Sequence, residues 1–129
     1  MKTLHLKGQV FSGKGEGAKY IKLPWAKKQI QEKLGFTPYL GTLNVRLTED
    51  SAKLKETLTR AKSMEILPQP GFCPGKLFKA SLTGDIKCAV VIPKVPDYPT
   101  DLLEIIAPIN LRQKCHLKDS DAVEVKITF

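Results

Sequence analysis

No apolar run in the sequence approaches the roughly 20 residues that span a bilayer. The N-terminus alternates Leu4 and Leu6 with Lys2, His5 and Lys7, where a signal peptide would be continuously apolar. An unexported, cytoplasmic protein is expected. Cysteines are few: Cys73, Cys88 and Cys115 are odd in number, far apart and never in a Cys-x-x-Cys pair. That pattern argues against a disulfide framework and against a zinc site. The two histidines, His5 and His116, lack Cys, His or acidic companions at ligand spacing, so neither is assigned a role. Internal repeats and low-complexity segments are also missing. Acidic residues are outnumbered, 13 against 21 Lys and Arg, for a net charge of +8. The excess favours a polyanionic ligand, which leaves nucleic acid, an anionic membrane and nucleotide phosphates open. Individually, Lys53, Lys55, Lys62 and Lys118 read as solvated surface.

What is present is one core's worth of hydrophobic residues, 42% of 129, and a single domain over 1–129 is expected. Thr3–Phe11 has a strand's alternation and runs into the glycine-dense stretch Ser12–Gly17. Tyr20–Leu23 reads as a short strand. Pro24 then suits the first turn of a helix with Ala26, Ile30 and Leu34 on one face and Gly35 as its C-cap. Thr42–Leu47 alternates cleanly, Leu43, Val45 and Leu47 against Thr42, Asn44 and Arg46. A helix capped by Asp50 or Ser51 follows, with Leu54, Leu58 and Ala61 at helical spacing. Met64–Leu67 is extended. Pro68–Gly75 is a loop, because three prolines lack amide donors. Leu77–Leu82 and Ile86–Ile92 flank Thr83-Gly84-Asp85 as a hairpin. After a second proline-broken loop, Leu102–Ala107 is apolar apart from Glu104, Pro108 opens a short helix through Cys115, and Val123–Phe129 is a last strand. Six or seven short strands with two or three peripheral helices point to a mainly β fold, a small barrel.

Four groups could carry chemistry. Glycines at 13, 15 and 17 let backbone amides wrap an anion while Lys14 adds a cation, although the stretch matches neither the Walker A pattern nor the dinucleotide fingerprint and reads equally as a hairpin loop. Thr42 and Asn44, two apart on a strand, point a hydroxyl and an amide oxygen to one side. There they could share a Mg²⁺ or simply face solvent. Glu104 sits among Leu102, Leu103, Ile105 and Ile106, either as a substrate-orienting acid or on the wet face of a half-buried strand. Asn110 and Arg112 stand in the first turns of the expected helix, where free amides attract anions. Trp25 and Phe36 read as core packing or loop anchors.

Together, Ser12-Gly-Lys-Gly-Glu-Gly17-Ala-Lys-Tyr20, Leu34-Gly-Phe-Thr-Pro-Tyr39-Leu-Gly-Thr-Leu-Asn44-Val-Arg-Leu47 and Leu103-Glu-Ile-Ile-Ala-Pro108-Ile-Asn-Leu-Arg112 resemble, in order, the archaeal CTP-dependent riboflavin kinases. The resemblance implies a cradle-loop β-barrel, CTP as donor, riboflavin as acceptor, and FMN and CDP as products; a monomer is expected. It puts the nucleotide on Phe11, Ser12, Gly13, Lys14, Gly15 and Glu16 and on Ile109, Asn110, Leu111 and Arg112. It puts Mg²⁺ on Thr42 and Asn44, and the flavin-contacting acid on Glu104, which is expected to be catalytic by activating or orienting the riboflavin 5′-hydroxyl. Two places depart from the family. Pro96 stands where a flavin-contacting threonine is usual, and Ser120 stands where the final turn usually has glycine. The alternative is a nucleic-acid-binding barrel, suggested by the charge; the reading includes no helix-turn-helix extension at either terminus, and no nucleic acid or membrane partner is expected.

Overall fold

A computed structural model describes residues 2–13, 16–83 and 85–129, with Glu16 described by its backbone alone. Lys14 and Gly15 of the glycine-dense stretch and Gly84 of the expected hairpin turn lie outside the described residues. The elements run β1 (Thr3–Phe11), α1 (Glu16–Tyr20), α2 (Pro24–Leu34), β2 (Leu43–Leu47), α3 (Glu49–Lys55), α4 (Thr57–Arg60), β3 (Met64–Ile66), β4 (Gly75–Leu82), β5 (Ile86–Pro93), β6 (Leu102–Ile106), α5 (Leu111–Cys115) and β7 (Ala122–Thr128).

Every strand pairing is antiparallel. The order β3-β4-β5-β6-β2-β1-β7 closes through a further β4–β7 pairing, so six strands form a barrel and β3 is added outside the ring. β4 serves both neighbours by dividing its length: Gly75, Lys76 and Leu77 pair with β3, and Lys79–Leu82 pair with β7. The mainly β barrel read from the sequence is therefore the fold. The helical segments are five among the described residues, more and shorter than the two or three expected.

Period-two alternation fills the barrel's interior. Leu6, Val10, Val45, Phe78, Val90, Leu103, Ile105, Val125 and Ile127 point inward and form one cluster, each at most 2% exposed. A second cluster lies on the outer face, where Tyr20, Ile21, Ala26 and Ile30 pack on Ile66, Leu77, Ala89, Val91 and Ile106. β6 is consequently buried on both faces along its whole length. Continuous apolar character is what such a strand requires.

Local departures from the sequence reading have local causes. Tyr20–Leu23 is the end of α1 and a turn, not a strand, with the Ile21 amide donating to the Gly17 carbonyl. The helix expected after residue 50 is two pieces, α3 and α4, and its cap is Thr48, whose hydroxyl accepts from the Ser51 amide three residues on. Ser51 instead accepts from the Lys7 amide of β1. α5 starts at Leu111, with Asn110 as its N-cap accepting from the Gln113 amide, so Pro108 precedes the helix. The Pro68–Gly75 loop is held by Phe72 against Trp25, edge-on at 5.4 Å, as expected of a loop anchor.

Candidate active site

Adjacent strands bring the candidate acid and the candidate metal ligands together. β2 and β6 pair with Asn44 directly opposite Glu104, and β5 puts Val91 on the acid's other side. Thr42, just before β2, and Asn44 within it are two residues apart on the extended chain, and their side chains meet. Glu104 shares the outer face of β6 with Ile106, and Ile106 packs beneath α1.

Glu104 is fully buried, which overturns the wet-face alternative. A carboxylate out of water needs donors, and four converge on it. The Gly17 amide at 2.9 Å and the Tyr98 hydroxyl at 2.7 Å reach Oε1. The Ala18 amide and the Thr42 hydroxyl, both at 3.2 Å, reach Oε2. The two amides belong to the first turn of α1, which has no intrahelical acceptors for them. Gly17 is required by this approach, because a Cβ there would lie 2.6 Å from Oε2.

The Thr42 hydroxyl has one proton and two acceptors, and the nearer is Asn44 Oδ1 at 2.7 Å. Asn44 in turn donates from Nδ2 to the Gly13 carbonyl at 2.8 Å, tying the glycine-dense segment to β2. Two oxygens on an octahedral Mg²⁺ with bonds of 2.0–2.1 Å stand about 2.9 Å apart, so the Thr42–Asn44 pair has the spacing of one octahedral edge. Among the described residues no group of three or more His, Cys, Asp or Glu could hold a metal.

The two candidate nucleotide segments also meet. Arg112 donates to Ser12 Oγ at 3.2 Å and to Asp119, and Ser12 donates to Asp119 at 2.9 Å. These bonds, Arg112's first and Ser12's second, hold the Asp119 carboxyl below the usual carboxylate range. Phe11 lies under the Arg46 guanidinium, 4.7 Å from its ring centroid. Ile109 is exposed and Leu111 is buried in the core. A cavity of about 130 Å³ runs between Thr42, Tyr39 and the 109–112 segment, and another of about 230 Å³ between Phe11, Gly13, Asn44 and Asp101. A third, about 330 Å³ and largely apolar, lies behind Tyr98 and is bounded by Leu58, Ile92 and Thr100. Pro96 belongs to the β5–β6 connection that also carries Tyr98.

Sequence reasoning missed Tyr98, Lys55 and Asp119. Lys55, read as solvated, is 6% exposed and donates to the Pro99, Thr100 and Leu102 carbonyls. No motif marks either: Lys55 acts across 44 to 47 residues, and Tyr98, six residues before Glu104, lies in a proline-broken loop without periodicity. Asp119 was legible only as part of a turn.

A family model named for CTP-dependent riboflavin kinase, and described as a domain of unknown function, DUF120, matches residues 10–127. A riboflavin kinase of Archaeoglobus fulgidus is 43% identical over 97% of this chain and 55% of its own length. One from Pyrobaculum aerophilum is 44% identical over 97% of this chain and 61% of its own. One from Methanosarcina barkeri is 42% identical over 96% and 56%. The chain thus spans little more than half the length of these relatives. With a family model matched along nearly all of it and relatives of this identity, the chain belongs to the CTP-dependent riboflavin kinase family.

Proposed function

We propose that the chain is a CTP-dependent riboflavin kinase, moving the γ-phosphate of CTP to the riboflavin 5′-hydroxyl to give FMN and CDP. The observation that carries the reading is the buried Glu104, held by donors from three different parts of the chain beside the Thr42–Asn44 pair. Phosphoryl transfer leaves a protein little covalent work beyond positioning and charge stabilisation, and this cluster is built for positioning.

In this proposal Thr42 Oγ1 and Asn44 Oδ1 hold Mg²⁺, which when bound offsets charge on the phosphate oxygens. The segment from Phe11 to Glu16 and residues Ile109 to Arg112 flank the nucleotide. Ser12 and Arg112 are already joined through Asp119, so one ligand can touch both. The riboflavin 5′-hydroxyl takes the place of one donor on Glu104, which orients it and receives its proton. The apolar cavity behind Tyr98 has room for a flat ring and adjoins the acid through that side chain. Both substrates are small molecules, the acting unit is a monomer, and the compartment is the cytoplasm.

The test is conversion of riboflavin to FMN with Mg²⁺ and each of CTP, ATP, GTP and UTP, followed by chromatography. FMN formed chiefly with CTP supports the reading. No FMN with any donor overturns it and moves nucleic-acid binding forward.

A further inference from the structure

We infer that Lys55 is a positioning residue for Glu104: from the end of α3 it fixes the β5–β6 connection so that the Tyr98 hydroxyl stays on the carboxylate. The inference rests on the proposed kinase for its catalytic meaning and on geometry alone for its structural content.

Lys55 Nζ lies 3.0 Å from the Pro99 carbonyl, 3.4 Å from that of Thr100 and 2.7 Å from that of Leu102. An ammonium has three protons to donate, and here all three have acceptors in the stretch that links Tyr98 to β6. The same nitrogen lies 5.0 Å from the centroid of the Tyr98 ring, within cation–π range. Lys55 therefore holds Tyr98 by its ring and by the backbone that follows it. The other end of the phenol is the 2.7 Å bond to Glu104 Oε1.

Such a lysine is costly. Burial pushes its ammonium down to about 8, with Asp101 and Glu104 opposing the shift. An apolar side chain of similar length would fill the space without that cost. What the cost secures is the connection's path. Without it, a segment broken by Pro93, Pro96 and Pro99 has few amides of its own to define a conformation.

Lys76 on β4 provides an internal control. It is 8% exposed and its ammonium also meets three carbonyls, those of Leu58, Thr59 and Ala61. These belong to the end of α4, and none of them touches Glu104. A lysine clamp that does not reach Glu104 is thus available in the same molecule, although Lys76 also lines the cavity behind Tyr98, so it serves as a control for amide exchange and not for turnover.

The test reads the far side of the carboxylate. Amide exchange at Gly17 and Ala18, whose only side-chain acceptor is Glu104, is measured by NMR in the unaltered chain, Lys55→Met, Tyr98→Phe, the double variant and Lys76→Met, alongside FMN formation and urea stability. Lys55→Met and Tyr98→Phe are expected each to speed exchange at both amides about tenfold or more and to lower turnover by a similar factor. The double variant should do no worse than the worse single. Lys76→Met should lower stability and leave both amides at their original rate relative to global unfolding. Unchanged Gly17 and Ala18 exchange in Lys55→Met, or turnover losses that multiply in the double variant, would overturn the inference. Should Lys55→Met not fold, Lys55→Gln enters the same cycle with the same criteria. If the unaltered chain makes no FMN, the kinase reading fails while the exchange rates still decide whether Lys55 positions Glu104.

Discussion

At Glu104, the usual diagnostic substitution has two effects that must be separated. Glu104→Gln removes the group proposed to receive the riboflavin proton, and turnover should fall by about 10²–10⁴-fold with little change in nucleotide affinity. It also turns an amide NH₂ toward a site where two backbone amides and the Tyr98 hydroxyl donate and the Thr42 hydroxyl lies within reach. The mismatch should lower unfolding free energy by about 1–3 kcal/mol. Urea denaturation measures the second effect, and turnover of the folded fraction measures the first. Near-normal turnover of folded Glu104→Gln would remove the catalytic assignment. Gly17→Ala approaches the same carboxylate from the other side. A methyl 2.6 Å from Oε2 must displace either the acid or α1, with an expected cost of about 1–3 kcal/mol and a loss of turnover. The sequence marked Gly17 as one of three glycines near a phosphate, whereas the structure gives it a packing reason that no local pattern carries.

Elements were legible where local rules decided them. Pro24 opens α2 and Gly35 ends it in the left-handed region at φ 77°, as their positions in sequence suggest. β2 and β7 follow their alternation. Legibility failed where distant groups decided. In the helix at residues 16–20 the first-turn amides of Gly17 and Ala18 find their acceptor in a carboxylate 87 and 86 residues further along. The final turn shows a local rule violated. Ser120 has φ 76°, a region in which glycine carries no steric penalty, while its amide donates to the Val10 carbonyl at 2.7 Å. Ser120→Gly should therefore raise stability by about 1 kcal/mol, visible as a higher urea midpoint with unchanged slope. Turnover should stay the same, because the side chain is exposed and the backbone path is kept.

The barrel as a whole was half legible. Strand count and antiparallel connections followed from turn chemistry, but its closure depends on β4 dividing its edge between β3 and β7, and nothing in a strand's own alternation specifies that. Burial gives the closed molecule a pH signature. Lys55 holds its proton to about 8 in the folded chain against about 10.5 when unfolded. Between those values the unfolded chain binds more protons, so this residue's contribution to stability rises with pH across the window and is lost as pH falls through 8. Tyr20 and Cys88 act oppositely. Burial raises both to about 12, so the folded chain keeps protons that the unfolded one releases, and stability falls as the solution becomes strongly alkaline. These two are common to the unaltered chain and to Lys55→Met, so a comparison of the pair cancels them. Urea unfolding of both at pH 7.5, 8.5 and 9.5 should show the unaltered chain gaining steadily on the variant. A constant difference would mean that Lys55 titrates near 10.5 in the folded protein, the three carbonyl bonds to its ammonium offsetting the cost of its burial. That outcome would remove the pH signature of burial and leave the clamp between α3 and the β5–β6 connection to be decided by amide exchange at Gly17 and Ala18.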